Sequence, residues 1–250
     1  MLENKKKGSL RWQAFGVLAL FSVWVIAPTD GYIIPDLMKV LAVAQRLLVT
    51  GELPLDLLQS LKRVLLGLGV AIVMAGIACA VGLSTIARNI MQGPFEVLRP
   101  IPPIAWIPVV ILLLGAGGAA SVAIVAIAAF FPIVTSVFAA WDTMDEKYLQ
   151  MARTLGVGRW EMLPKIYVPL LIEGFLIGLR LAVGLAWFSV VASEMVGSSS
   201  GLGHAIQISS LNLEMEKFFA YFIAIALCGL TMNWMVIWLF YLVCPWRHAG

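Results

Sequence analysis

The sequence predicts an all-α, polytopic integral membrane protein with about six transmembrane helices, and three observations carry that expectation. Hydrophobic residues make up 61% of the chain and charged residues only 12%, with a mean hydropathy of +0.96, a balance outside that of water-soluble domains. Apolar runs long enough to cross a bilayer recur along the chain between polar interruptions. The basic residues favour some of these interruptions over others, as topology signals do. A net charge of +3, thinly scattered, gives no nucleic-acid surface. Cys79, Cys228 and Cys244 lie in or at the end of apolar runs without paired spacing, which implies neither a disulfide framework nor a zinc site.

Lys5, Lys6, Lys7 and Arg11 precede an apolar run over residues 12–28. It reads as a first membrane anchor, since no small-x-small cleavage site follows it, with a signal peptide as the alternative. The positive-inside rule then puts the amino terminus in the cytoplasm. Residues 29–60 are expected on the outer surface, with Leu37, Leu41, Ala44 and Leu48 on one helical face and Lys39, Gln45 and Arg46 off it. Residues 1–60 thus form a tail, a first span and an amphipathic segment, and residues 61–250 form the core domain with five further spans.

Residues 64–86 make the second span, with Gly67, Ala71 and Ala75 on one small-residue stripe and Ala78 and Gly82 on another. Such stripes permit close helix contact, for movement or for simple bundle packing. Arg88 and Asn89 mark a short cytoplasmic loop. The run Leu98-Arg99-Pro100-Ile101-Pro102-Pro103-Ile104-Ala105-Trp106-Ile107-Pro108 places four prolines within nine residues, so the third span must be broken near its start. Irregular backbone at membrane depth survives where protein or a water-filled cavity covers it, which makes this run a candidate lining of a pathway. Trp106 lines that path or belongs to an interfacial tryptophan belt. Gly115-Ala116-Gly117-Gly118 turns the chain into a fourth span at 119–140, with a kink expected at Pro132.

The longest polar interruption is 141–169. Leu149, Ala152 and Leu155 recur at helical spacing and give it an apolar edge that this chain offers nothing to cover. Gly156 and Gly158 permit a sharp reversal, and Pro164 and Pro169 limit the helix beyond it, so two short helices joined by a glycine turn are expected. Lys147, Arg153, Arg159 and Lys165 assign the loop to the cytoplasm. The fifth span, about 171–193, carries Gly174, Gly178, Ala182 and Ala186 four apart, a smooth face expected to meet another helix, here a second copy of the chain. Arg180 lies inside this span, seven residues from Glu173, either paired with it or drawing an anion.

The string 193–203, with Trp187 and Glu194 near the polar end of the fifth span, contains Gly197-Ser198-Ser199-Ser200-Gly201. A nucleophile elbow needs a strand-to-helix turn, and this string follows a membrane helix, so hydrolase chemistry with His204 is disfavoured. Its serines and glycines read as a flexible outer gate or loop. Residues 221–243 form the sixth span and return the carboxyl terminus to the cytoplasm. Arg88, Arg99 and Arg247 then lie inside, while Lys39, Arg46, Lys62, Arg63 and Lys217 lie outside.

The stretch Gln150-Met151-Ala152, three residues, Gly156, nine residues, Ile166-Tyr167-Val168-Pro169 resembles the Glu-Ala-Ala loop of permease subunits of ATP-binding-cassette importers. Spacing matches throughout, with Gln150, Met151 and Val168 as departures; Gln150 lacks the charge for an ion pair at that point. The proline-rich run and the segment after the fifth span resemble the nitrate, sulfonate, taurine and bicarbonate branch of that family. The resemblance covers about residue 62 to the end and implies a type I, MetI-like permease fold in a bacterial cytoplasmic (inner) membrane, both termini inside. Leu149, Gln150, Ala152, Leu155, Gly156, Trp160, Ile166 and Pro169 would form the coupling helix region that docks on the ATPase. Trp106, Arg180, Trp187 and Glu194 are the path candidates.

The implied partners are a second permease copy, two cytoplasmic ATP-binding subunits, an extracytoplasmic solute-binding protein and the lipid bilayer. The chain has no Gly-x-x-x-x-Gly-Lys-Ser/Thr phosphate loop and no soluble α/β block, so no catalytic site or cofactor is expected on it; ATP and Mg would sit on the partner. The rival reading is an ion-driven secondary carrier or channel, which paired intramembrane acids and inverted repeats would favour. No repeat is evident, and in sequence Glu194 stands alone.

Overall fold

The computed structural model describes residues 35–82, 84–143, 151, 154–156, 158–162 and 167–244. The expected first span at 12–28 lies outside them. Helix α1 (Leu37–Thr50) is capped by Asp36, whose side chain accepts from the Met38 amide, and ends at Gly51 in the left-handed region. Then come α2 (Glu52–Val81), α3 (Thr85–Leu98), a 3-10 turn (Pro103–Trp106), α4 (Ile107–Leu114), α5 (Gly118–Asp142), α6 (Arg159–Met162), α7 (Val168–Gly197), α8 (Leu202–Leu211) and α9 (Met215–Val243).

Among the described residues, α2, α5, α7 and α9 are long and apolar enough to cross a membrane. The pair Ile86–Leu98 and Pro103–Leu114, bent by 88°, makes a fifth span if it is counted as one. The proline-rich run therefore breaks the third span, as a backbone short of amide donors must. A 30-residue helix such as α2 is about 45 Å long, more than the ~30 Å hydrocarbon core, so it can span the bilayer with length to spare.

Helix α5 is the centre of the bundle, packed between α2 and α7. Its buried residues, among them Ser121, Ile124, Val125, Ala128, Ile133 and Val137, lie on more than one face, as its position requires. Small residues set the closeness of both contacts. A Cβ on Gly67 of α2 would stand 2.5 Å from Val125, and one on Gly178 of α7 would stand 2.8 Å from both the Ile133 Cα and the Pro132 carbonyl. The smooth face of the fifth span thus meets α5 of the same chain, not a second copy. Sequence spacing shows that a face is smooth but not which helix lies on it.

Three further expectations are corrected. Helix α1 buries Val40 and Leu47 against α2 and α9, while Leu41 and Leu48 are exposed, a face rotated by one residue from the one the spacing predicts. The second span starts at Glu52 rather than 64, because Gly51 ends one helix and starts the next. Arg88 and Asn89 lie not in a loop but in helix α3, which docks through Phe95; that ring meets Phe130 and Phe131 edge-on at 5.8 and 5.9 Å. Of the four described helices long enough to cross, α9 is the least buried, with Trp234 and Trp238 exposed.

Candidate functional site

Two polar regions stand at opposite ends of the bundle. At the end where α5 stops and α7 begins, Leu149, Gln150, Ala152 and Ile166 lie outside the described residues. The described residues between them include parts of two helical turns with a left-handed glycine between. The Leu155 amide donates to the Met151 carbonyl at 3.0 Å, closing one turn, and Gly156 comes next at φ 77°. Left-handed backbone is what a glycine after a helical turn supplies. The Glu161 and Met162 amides then donate to the Gly158 carbonyl at 3.0 and 3.1 Å, opening α6, the turn that carries Trp160. Leu155 is 80% exposed, and Met151 is exposed as well. Tyr167 stacks on Trp141 with ring centroids 5.3 Å apart, and Pro169 lies in the first turn of α7, where its missing amide goes unnoticed.

At the other end, Glu194 is fully buried and is not alone. Arg63 Nη1 donates to its Oε1 at 2.6 Å, Ser60 Oγ donates at 2.8 Å to Oε2, and the Gly203 amide donates to Oε2 at 3.0 Å. Arg63 continues to the Ser200 carbonyl at 2.7 Å and the Ser200 hydroxyl at 2.8 Å. Ser60 Oγ accepts from the Leu202 amide, and Asp56 accepts from the Gly201 amide and the Tyr221 hydroxyl, the last two at 3.0 Å. Lys217 pairs with Glu52 at the rim.

This network ties α2, α7, α8 and α9 together. The serine and glycine string is therefore a clamped connection rather than a flexible gate. Gly201 is bound to its place twice over, by φ 103° and by the Glu194 carboxyl, which a Cβ there would meet at 2.5 Å.

The remaining path candidates fall between these ends. Arg180 reaches Asn233 of α9, Nε to Oδ1 at 3.4 Å, instead of Glu173. Both line a cavity of about 860 Å³ between α7 and α9, with Leu176, Leu181, Gly184 and Phe240 among its walls. Trp187 is buried between the same helices, its indole N–H donating to the Ile225 carbonyl at 2.9 Å. Trp106 packs beside Ile107 and Val110 where the broken span meets α5, and its indole N–H is buried without an acceptor among the described residues.

Sequence reasoning missed Ser60, Arg63, Asp56 and Tyr221. A signal existed: Arg63 at the start of one apolar run and Glu194 at the end of another lie at the same depth in the expected threading. Opposite charges at one depth seek each other when water is scarce.

Residues 72–246 match the family described as "Binding-protein-dependent transport system inner membrane component". Over 212 residues the chain is 31% identical to a probable ABC transporter permease protein of Brucella melitensis, covering 84% of this chain and 86% of the relative. It is 29% identical to a putative aliphatic sulfonates transport permease protein of Bacillus subtilis, over 95% of this chain and 84% of that one. It is 28% identical to a nitrate import permease protein of Synechococcus elongatus, over 77% and 71%.

Proposed function

The chain belongs to the family of binding-protein-dependent transport system inner membrane components, a permease subunit of an ABC importer, and we propose that it moves a small oxyanion or sulfonate inward. The observation that carries the coupling part of this reading is the exposed Met151 and Leu155 edge running into left-handed Gly156, within a segment of the right spacing. An exposed apolar edge beside a water-facing turn offers a partner a place to dock. Leu149, Gln150, Ala152, Trp160 and Ile166 extend that docking surface, and Pro169 starts the helix behind it.

In this reading two copies of the chain pair in the membrane, two cytoplasmic ATPase subunits hold ATP and Mg, and an extracytoplasmic binding protein delivers solute. Nucleotide-driven closure of the ATPases favours one of two arrangements of the membrane helices, so the coupling segments convert binding energy into a change of access. The Glu194 end faces out, the Asp142 end faces the cytoplasm, and both termini are cytoplasmic.

The relatives named for sulfonates and nitrate support an anion as cargo. So does the pairing of Arg180 with Asn233 on a cavity wall, since both offer N–H donors at membrane depth. Trp106 adds an unfilled donor beside the broken span. We keep Trp106 and Arg180 on the path and assign Trp187 and Glu194 to the frame, because their polar atoms are already used within the bundle.

The test is reconstitution with the ATPase subunits and the binding protein, followed by uptake of nitrate, bicarbonate, taurine and methanesulfonate. ATP-dependent uptake of at least one is expected. Uptake that persists without ATP and follows an ion gradient would return the secondary-carrier reading to first place. Cysteines placed at Ser9 and Thr143 in a cysteine-free background should resist an impermeant thiol reagent in intact cells, which checks the threading.

A further inference from the structure

At the Asp142 end two cavities, of about 380 and 510 Å³, share Arg99 and Thr135 as wall residues. The first follows α5 past Pro103 and Phe131 to Leu181 of α7, which also borders the Arg180 cavity. The second opens between α3 and the last turns of α5, with Arg88, Gln92, Glu96 and Asp142 on its walls.

The electrostatics of the second cavity are incomplete. Arg88, with its side chain only 11% exposed, pairs through Nη2 with Asp142 and lies 5.1 Å above the Phe138 ring. Its Nε–H is buried and has no acceptor among the described residues. A buried donor left unmade carries its full desolvation cost, so an acceptor brought to that point is favoured. Arg99 stands exposed at the junction of the two cavities, and its side chain makes no hydrogen bond or ion pair among the described residues. Asp142 pairs with Arg88, which leaves Arg99 as the open positive charge on these walls. One open positive charge is matched by a single negative charge and not by two.

We propose that Arg88 and Arg99 form a site for a monoanionic oxyanion at the cytoplasmic side of the bundle, with Arg99 as the open half of the clamp. A planar or tetrahedral oxyanion has acceptors enough to take the Arg88 Nε–H and a guanidinium edge of Arg99 together. Two sources share this chemistry: the transported solute on its way out of the Arg180 cavity, and the phosphodiester of an inner-leaflet lipid. The place of the site on the solute path rests on the anion-import reading; the binding chemistry does not.

The experiment uses the permease purified with its ATPase subunits, as wild type, Arg99→Gln and Arg99→Lys. Thermal unfolding is followed in sodium nitrate, sulfate and chloride at matched ionic strength, bound phosphatidylglycerol is counted by native mass spectrometry, and uptake is measured after reconstitution. Nitrate should raise the wild-type midpoint above chloride, and more than sulfate does. Arg99→Gln should abolish that rise and Arg99→Lys should keep part of it.

Losing one charge-assisted contact should also lower anion uptake about tenfold in Arg99→Gln. An absent nitrate effect with phosphatidylglycerol retained by wild type and lost from Arg99→Gln assigns the site to lipid phosphate. If neither the nitrate shift nor lipid retention depends on Arg99, the site is overturned, whatever the uptake. Should the wild type import none of the anions while the Arg99-dependent shift persists, the import reading fails and the site stands.

Discussion

Replacing Glu194 by Gln removes one charge from the middle of the buried network and leaves its partner in place. The carboxylate accepts from Ser60, Arg63 and the Gly203 amide. A carboxamide has one acceptor oxygen, so its NH2 must face at least one group that is itself a donor. Arg63, its side chain 9% exposed, would keep only the two Ser200 contacts to balance its charge. Breaking a buried ion pair on one side costs about 3–5 kcal/mol, and the lost hydrogen bonds are part of that figure rather than additional to it. Even ~3 kcal/mol is a change of roughly a hundredfold or more in the folding equilibrium.

The assay is reversible unfolding in detergent or lipid nanodiscs for Glu194→Gln, Arg63→Met and the pair together. If the two charges act as a unit, the double variant should be more stable than the sum of the singles by about 2 kcal/mol or more. A Glu194→Gln protein within about 1 kcal/mol of wild type, or strictly additive singles, would refute the reasoning, since it would mean that water solvates the pair.

Gly156→Val should leave the bundle folded, since beyond its chain neighbours no atom of the described residues lies within 4 Å of the added Cβ, while costing about 1–2 kcal/mol in left-handed backbone strain; co-purification of the ATPase subunits should fall and uptake should stop. Normal docking and uptake would remove Gly156 from the coupling role. Gly178→Leu should lose about 3 kcal/mol or more, because its Cβ alone already overlaps the α5 backbone, whereas Leu at Gly184, where a Cβ meets open space, should unfold near the wild-type midpoint. Trp187→Phe should cost about 1 kcal/mol through the lost bond to the Ile225 carbonyl and leave solute preference unchanged, as uptake competition between anions would report.

The helical class and the span pattern were legible because bilayer length and apolar composition are read directly from a sequence. The break at Pro100 to Pro108 was legible too, since proline's missing amide acts locally. The left-handed backbone of Gly156 belongs with these, for the same reason. Partnership was not legible. The small face of α7 was visible, but its neighbour α5 depends on packing across the chain. Glu194 looked isolated because its partner lies 131 positions away. The exposed face of α1 was misjudged because leucine occurs on both sides of that helix, so the apolar stripe was too wide to fix a rotation.

The stacking of Trp141 on Tyr167, with Gly174 and Gly178 pressed against α5, gives the segment between them a particular mechanical character. Its two ends are held at a fixed span by a helix pair that has no room to slide. In the coupling reading, a push on this segment is delivered to both helices through those held ends. Extra residues inserted after Thr143 would cost little in stability, only about 0.6 kcal/mol per doubling of loop length. They would, however, add compliance between hand and lever, so lengthening this segment should erode the stoichiometry of solute moved per ATP well before it unfolds the protein.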